Sequence, residues 1–337
     1  MRALSCQCGQ TLFYDNTQCQ NCGRILGFDP TRGEMLSCDE QADGTLQAGD
    51  GQFYRLCANR RDYKVCNGLV AQSAPGGDTA RCVCCALNRT IPTLSRPDNL
   101  LRWRRLEQAK LRLLTGLYSL GLEVGAKPAN SMPGLRFDFL ADKRTHPDAL
   151  ETFVSTGHHQ GVITINVLEA DEVQRVWQKE TSSERYRTLL GHFRHEAGHY
   201  FYFRLVSDQS SFAALFGDPG QDYSQALQNH YNSGAKAGWE QSYISAYASS
   251  HPLEDWAECF AHYLHMQDAL ETAASRGIIP AADASADFGD KLLSWMTLAV
   301  SLNELNHSLG LGDAYPFVLP PTVVEKLDYI HEAVAAA

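Results

Sequence analysis

The chain has 337 residues, of which 44% are hydrophobic and 20% are charged, proportions typical of globular proteins. Its formal net charge of −10 argues against a general nucleic-acid-binding protein. The acidity lies beyond residue 97, since residues 1–97 carry 10 Lys+Arg and 9 Asp+Glu. The apolar runs are too short to cross a bilayer, and no apolar signal core precedes the first cysteines. We therefore expect a cytoplasmic protein with no membrane partner.

Cysteine and histidine divide the chain into two regions with different metal-ligand chemistry. Ten of the eleven cysteines lie between Cys6 and Cys85, whereas all twelve histidines lie at His146 or beyond. We predict a boundary near residue 97. Residues 1–97 would form a small, mostly β, cysteine-rich zinc-ribbon region with two four-cysteine sites, and residues 98–337 a mainly helical, histidine-containing domain, which gives an α+β protein.

The cysteine clusters have the spacing of structural zinc sites. The segments CQCG and CQNCG each place two thiols in a turn that ends in glycine, so that thiolates can converge on one ion. The predicted ligands of this first zinc are Cys6, Cys8, Cys19 and Cys22. A second zinc is predicted at Cys57, Cys66, Cys82 and Cys85, and Cys38, Cys84 and Cys259 remain as free thiols. Disulfides would need an oxidising compartment and suit an odd cysteine count poorly, so metal binding is the better interpretation. The residues of the ribbon do not indicate its partner.

A connecting helix follows in the segment NLLRWRRLEQAKLRLLTGLYSLG. Its apolar residues recur at helical spacing, at Leu106, Leu113, Leu117 and Leu120. The early turns are basic at Arg102, Arg104, Arg105, Lys110 and Arg112. A patch for nucleic acid or an acidic partner is one interpretation. We favour a solvated face that also pairs with acidic residues of the second region.

The segment HFRHEAGHYF contains His-Glu-x-x-His, a pattern typical of zinc hydrolases. His195 and His199 are four residues apart, so on a helix they project from the same face and can bind one ion. Glu196 would lie beside the metal, where it can take a proton from the attacking water and pass it to a leaving amine. Gly198 leaves room for a close neighbour.

The third ligand is expected in SAYASSHPLEDWAECFAHYLH, where His251-Pro252 has the pattern of a helix start. Glu254, Glu258 and His262 then form one polar stripe on an otherwise apolar helix. Our first interpretation makes Glu254 the ligand and Glu258 the carboxylate that orients a metal-bound histidine. The reverse assignment, with Glu258 as the ligand supported by His262, stays open.

These motifs resemble a bacterial family of zinc-binding metallopeptidases with an N-terminal zinc ribbon. The resemblance rests on RHEAGHY and YASSHPLEDWAECFAHYLH and extends through YRLCANRRDYKVCNGLV, RWRRLEQAK, FDFLAD and GVITIN. It therefore covers most of the chain. It implies a zincin-like fold and says little about the substrate.

The second ligand segment is also similar to gluzincin-type proteases such as anthrax lethal factor. Their ligand helix carries Glu-aromatic-aromatic-Ala-Glu, and here Glu254-Asp255-Trp256-Ala257-Glu258 is similar except that Asp255 replaces an aromatic residue. Lethal factor has a tyrosine seven residues before its ligand glutamate. Tyr247 stands at that position, which implies a donor for the oxyanion of the tetrahedral intermediate. Packing as an ordinary buried aromatic is the alternative for this residue.

A strand is predicted at GVITIN, residues 161–166, as an edge strand that would hold an extended peptide above the zinc. His158 and His159 before it are interpreted as loop residues, His192 as a structural residue or a site contact, and His230, His265, His307 and His331 as exposed. Together these features predict zinc-dependent hydrolysis of a peptide or protein substrate. The alternatives are a non-catalytic, zinc-stabilised interaction module and a zinc hydrolase of non-peptide amides.

Overall fold

The computed structural model describes residues 2–125, 133–145, 147–149, 151–172, 188–281 and 287–337. The chain divides into two compact units, Met1–Glu172 and Val173–Ala337. Strands dominate the first unit and helices the second, so the predicted α+β class is confirmed. Among these described residues, none of the helices has both the length and the apolarity that a membrane span requires.

The first half of unit 1 is built from short antiparallel strands. A hairpin pairs β1 (Leu4–Ser5) with β2 (Thr11–Leu12). A five-stranded meander follows, in the order β3 (Ile25–Asp29), β4 (Glu34–Glu40), β5 (Leu46–Ala48), β6 (Phe53–Leu56) and β7 (Leu69–Ala71). The core of this sheet is a cluster of four buried residues, Cys38, Leu46, Ala48 and Tyr54. Burial raises the pKa of the Cys38 thiol to about 11, which agrees with a free structural thiol.

A short helix, α1 (Ala58–Tyr63), follows β6 and carries a buried arginine. Arg60 donates to the carbonyl oxygens of Leu26 at 2.7 Å and Asn67 at 2.9 Å. These bonds satisfy a guanidinium that is 8% exposed. The helix therefore holds a fixed positive charge inside the cysteine-rich region.

The second sheet of unit 1 corrects one prediction. It consists of β8 (Asn88–Thr90), β9 (Arg136–Leu140), β10 (Gly157–His159) and β11 (Val162–Asn166), in the order β10-β11-β9-β8. The GVITIN segment forms β11, so a strand is confirmed. The prediction of an edge strand is wrong, because β11 pairs with β10 on one side and with β9 on the other. Its backbone groups are therefore already used within the sheet.

The connecting helix is α2 (Pro97–Ser119), with proline in its first turn. Leu106, Leu113 and Leu117 are buried at the predicted spacing. The prediction of a solvated basic face is wrong for Lys110, which is fully buried and lies 2.8 Å from Glu107. The arginines pair within the unit, with Arg102 3.1 Å from Asp171, Arg105 3.1 Å from Glu172 and Arg112 3.0 Å from Asp15.

Unit 2 is helical throughout its described part. Its elements are α3 (Leu189–Leu205), α4 (Gln209–Phe216), α5 (Tyr223–Ser233), α6 (Pro252–Ser275), α7 (Phe288–Ser308) and α8 (Pro321–Ala335). As predicted, α6 begins at His251-Pro252, where the His251 side chain accepts a hydrogen bond from the Leu253 amide. Thr188 caps α3 in the same way through the Gly191 amide.

The close approach of α3 and α6 sets the geometry of the unit. A Cβ atom built on Gly198 would lie 2.8 Å from the Cα atom of Ala257, so only glycine fits this contact. Trp256 Nε1 donates to the Gly198 carbonyl oxygen at 2.8 Å. Phe201 stacks on Phe260 with ring centroids 5.5 Å apart. These contacts bring the His-Glu-x-x-His face of α3 against the first two turns of α6.

Candidate metal centres

The first four thiols predicted as ligands lie together in the ribbon. Cys6 Sγ is 3.6 Å from Cys22 Sγ, and Cys8 Sγ is 3.6 Å from Cys19 Sγ. Four thiolates around a tetrahedral zinc, with Zn–S distances near 2.3 Å, lie about 3.8 Å apart. Glycines with positive φ close both turns, as the sequence predicted. The Asn21 amide donates to Cys8 Sγ and lowers the pKa of this thiol to about 6, which favours the thiolate.

The second predicted set also converges. The sulfur atoms of Cys57, Cys66, Cys82 and Cys85 lie within 4.8 Å of one another. Hydrogen bonds from the other three thiols hold the pKa of Cys57 far below its usual value, while that of Cys66 is raised. Four thiols that share protons in a buried cluster are a donor set suited to zinc.

The three cysteines that the sequence analysis did not assign to a zinc site, Cys38, Cys84 and Cys259, lie outside both clusters. Cys84 is buried, and burial raises its pKa to about 12. Cys259 on α6 donates to Asp255 Oδ1 at 3.6 Å. None of the eleven cysteines, all of which the structure describes, forms a disulfide.

A third donor set joins α3 and α6. Ligand atoms of His195, His199 and Glu254 lie within 4.8 Å of one another. His195 Nε2 is 3.2 Å from His199 Nε2 and 3.0 Å from Glu254 Oε2, and Glu254 Oε1 is 3.4 Å from His199 Nε2. The Glu254 side chain is 1% exposed. Two nitrogens and a buried carboxylate therefore face one point.

This arrangement calls for a cation. His195 Nδ1 lies 2.6 Å from Glu258 Oε1 and donates its proton there, so Nε2 is the ring nitrogen left to bind a cation. Glu254 Oε2 is buried and accepts no hydrogen bond. Burial alone would lower the pKa of His195, but the two carboxylates outweigh it and raise the pKa well above its usual value. A zinc ion would supply the positive charge that this converging set of acceptors lacks.

Glu258 lies where the first sequence interpretation expected it. Its Oε1 accepts from His195 Nδ1, and its Oε2 accepts from Ser245 Oγ at 2.7 Å. Burial raises the pKa of Glu258, but the bond to His195 outweighs this effect and keeps the carboxyl ionised. Both of its oxygens are therefore used away from Glu254. His262 contacts Tyr315 OH at 2.8 Å through Nδ1, and burial lowers the pKa of His262 to about 4.

Glu196 follows His195 on α3 and is 8% exposed. Burial raises its pKa, and the adjacent His195 and His199 partly offset this rise. A carboxyl group with a raised pKa holds a proton more readily than one in water does. This is the property required of a group that takes up a proton and then releases it.

Two tyrosines border the donor set, and the sequence identified only one of them. The ring of Tyr247, in a 3-10 turn at Tyr247–Ser250, lies 5.9 Å from the His195 ring. Burial raises the pKa of Tyr247, so the phenol stays protonated. Tyr223 was missed, yet its hydroxyl donates to Glu254 Oε1. No local signal points to this contact, since Tyr223 lies at a helix start 31 residues before Glu254.

The remaining histidines are dispersed. The prediction that His158 and His159 are loop residues is wrong, because both lie in β10, where His158 Nε2 accepts from the Gly161 amide at 3.0 Å. The prediction that His265 is exposed is wrong, because this side chain is half-buried and contacts Arg194, which in turn pairs with Asp268. His307 is exposed and pairs with Asp313. His230 and His331 are also half-buried and not exposed as predicted, and His331 Nδ1 lies 2.9 Å from Tyr263 OH.

Two family descriptions match the chain. "Putative zinc-binding metallo-peptidase" matches residues 99–333, and "zinc-ribbon domain" matches residues 3–96. Uncharacterized protein Rv2568c of Mycobacterium tuberculosis and uncharacterized protein Mb2598c of Mycobacterium bovis are each 40% identical over 346 residues, covering 99% of this chain and 95% of the relative. No solved structure matches the chain significantly. Both matched families are zinc-binding, and the three donor sets fit one catalytic and two structural zinc ions.

Proposed function

Since the chain belongs to this family of zinc-binding metallo-peptidases and also carries the zinc ribbon, we propose that it hydrolyses peptide bonds with one catalytic zinc. The observation that carries the proposal is Glu196, a buried carboxyl group with a raised pKa next to a three-residue donor set. Three protein ligands leave one position of a tetrahedral zinc open. A purely structural site would gain nothing from that position or from the carboxyl group beside it.

We assign His195, His199 and Glu254 as the ligands of this zinc. A zinc ion held in this way acts as a Lewis acid and lowers the pKa of water toward 7. Glu258 orients His195 through the bond to Nδ1 and raises its basicity as a ligand. The alternative, with Glu258 as ligand, is less favourable because its two oxygens already bind His195 and Ser245.

Glu196 then acts first as a base and afterwards as an acid. It takes the proton of the attacking water as the water oxygen bonds to the carbonyl carbon of the substrate. The carbon–nitrogen bond breaks, and Glu196 delivers this proton to the leaving nitrogen, giving a carboxylic acid and an amine. The acid then passes its proton to the amine, so the products are a carboxylate and an ammonium group. The raised pKa of Glu196 suits both transfers at neutral pH.

Tyr247 is our candidate for stabilising the oxyanion. Its phenol is protonated, and its hydroxyl makes no hydrogen bond to any of the described residues. A hydroxyl group that is not already donating a hydrogen bond can donate one to the oxyanion as its negative charge develops. The similarity of the Tyr247–Glu254 spacing to lethal factor supports the same role.

Two further expectations remain part of the proposal. The family matches, which meet between residues 96 and 99, support a ribbon region at 1–97 followed by the peptidase domain at 98–337. The unpaired thiols support a reducing compartment such as the cytoplasm. A peptide substrate is favoured by the family alone, because β11 is not an edge strand that could pair with one.

The test is a comparison of wild type with Glu196→Gln on a quenched-fluorescent peptide library and on a panel of small N-acyl amides. We expect peptide hydrolysis to fall by about 10²–10⁴-fold in the variant. Zinc content should stay at three per chain in Glu196→Gln and fall to two in Glu254→Ala, as the three donor sets require. Equal activity of Glu196→Gln and wild type would refute the mechanism. A fully zinc-loaded wild type that cleaves only the amides would change the substrate class, and one that cleaves nothing would favour the interaction module.

A further inference from the structure

The hydroxyl of Tyr223 forms a hydrogen bond with Glu254, which is also a proposed ligand of the metal. It donates to Glu254 Oε1, while Glu254 Oε2 faces His195 Nε2 at 3.0 Å. Tyr223 is the donor because an ionised carboxylate has no proton to give. One oxygen of Glu254 is thereby used by the protein, and the other is left toward the point where the histidine nitrogens converge.

Tyr223 is itself held by the segment that starts the ligand helix. It opens α5, whose N-cap Asp222 accepts from the Gln225 amide at 2.9 Å. Its ring makes an edge contact with His251, with centroids 5.1 Å apart. The His251 ring is 1% exposed, and its Nε2 donates to the Gln221 carbonyl oxygen at 3.2 Å.

His251 also connects this segment directly to the start of α6. Its Nδ1 accepts from the Leu253 amide at 3.1 Å, one residue before Glu254. The ring therefore bonds on one side to the residues leading into α5 and on the other to the first turn of α6. The positions of the Tyr223 ring and of the Glu254 backbone are fixed by the same buried histidine.

We propose that Tyr223 is a positioning residue for the catalytic metal: its bond to Oε1 holds Glu254 as a ligand through Oε2. This inference rests on the assignment of Glu254 as a ligand in the proposed function. It differs from the role proposed for Tyr247, whose ring lies 5.9 Å from the His195 ring, because the hydroxyl bonded to Glu254 Oε1 is that of Tyr223. The two tyrosines therefore make separable predictions, because loss of Tyr223 weakens metal binding and loss of Tyr247 weakens turnover.

The experiment measures zinc affinity by competition with a chelator, on full-length protein whose ribbon zincs stay bound. Tyr223→Phe removes one oxygen atom from a ring that is 40% exposed, so the fold should be retained. We expect the affinity of the third site to fall by about 10–100-fold, as for other groups that orient metal ligands. Tyr231→Phe is the matched control, since this tyrosine lies on the same helix and is 71% exposed. It should stay within twofold of wild type, and the same result for Tyr223→Phe would overturn the proposal.

A double-mutant cycle separates positioning from a general structural role. Glu254→Ala leaves only the weak zinc binding of His195 and His199, which direct titration at raised zinc concentration measures. In that background Tyr223 has no ligand to hold, so adding Tyr223→Phe should leave this residual affinity unchanged. A further loss of similar size would show that Tyr223 acts on the fold and not on Glu254. Because these measurements need no turnover, they can fail while peptide hydrolysis is confirmed, and they can succeed if the protein proves inactive on peptides.

Discussion

Replacing Gly198 with alanine tests whether the contact between α3 and α6 sets the metal geometry. At an exposed position inside a helix this change stabilises a protein by about 0.5–1 kcal/mol. Here the new Cβ would meet the Cα atom of Ala257 at 2.8 Å and its carbonyl oxygen at 3.1 Å. Both are backbone atoms, so relief of the clash requires the helices to separate.

The required separation is large for a metal site. Ordinary carbon contacts begin at 3.4 Å, so the Cα atom of Ala257 must move by roughly 0.6 Å. Ligand constellations tolerate displacements of about 0.5 Å. Overpacking of this kind costs about 1–3 kcal/mol, which exceeds the gain in helix propensity. We therefore expect Gly198→Ala to lower the free energy of unfolding by about 0–2.5 kcal/mol and to weaken zinc binding at His195, His199 and Glu254.

Urea unfolding of the zinc-loaded protein and chelator competition measure the two effects. Gly312→Ala is the control, because nothing lies within 4 Å of the Cβ position at Gly312, and it should change neither quantity appreciably. Adding Ala257→Gly should not rescue Gly198→Ala, since the nearest atoms belong to the backbone. If Gly198→Ala were as stable as wild type and retained its zinc, the reasoning from helix separation would be refuted.

Two other predictions concern buried charge and the ribbon. Lys326 lies 2.6 Å from Asp255, and both side chains are buried, so Lys326→Met should cost about 3–5 kcal/mol by leaving a buried carboxylate unpaired. Burial raises the pKa of Asp255 to about 6, although Lys326 acts to lower it. The protonated carboxyl group therefore adds to the free energy of unfolding below about pH 4, and this stabilisation is lost as the pH rises through 6. The deficit of Lys326→Met in urea unfolding should accordingly be larger at pH 7.5 than at pH 5, and equal deficits would contradict this assignment. Elemental analysis of Cys57→Ser should show one zinc fewer per chain, whereas Cys84→Ala should keep all three; loss of zinc from the second variant would place Cys84 in the site.

Much of the candidate site could be predicted because its chemistry is local in sequence. At Cys6, Cys8, Cys19 and Cys22, two close pairs in glycine turns favour convergence on a common point. At the second cluster only Cys82 and Cys85 have such a spacing, and Cys57 and Cys66 are assigned because they are the nearest further thiols that complete a set of four. Likewise, the four-residue spacing of His195 and His199 places both side chains on the same face of a helix. Glu254 and Glu258 could be separated from the other acidic residues because they lie on the apolar helix that begins at Pro252.

The features that could not be predicted depend on partners distant in sequence. Lys110 resembled a surface residue, and its contacts with Glu107, with Asn88 and with the rings of Phe137 and Phe139 make its burial tolerable. The strand at residues 162–166 has the pattern of an edge strand, but its parallel partner, at residues 136–140, comes from a separate segment. Tyr223 carries no motif at all, and its role follows only from where its hydroxyl lies.

The buried cations of unit 1 have a consequence for how the cysteine-rich region keeps its charge balanced. Four thiolates and one Zn²⁺ sum to a charge of about −2, so a loaded centre is an anion. Arg60 and Lys110 are both buried, and burial opposes their charged forms. The sulfur atoms of the second cluster favour the charge on Arg60, and Glu107 together with Cys85 favours the charge on Lys110. Loss of the metal with protonation of the thiols would leave these cations facing neutral sulfur. Zinc retention and the burial of Arg60 and Lys110 therefore depend on each other, and the ribbon should unfold more readily without its ion than the loss of four metal bonds alone would suggest.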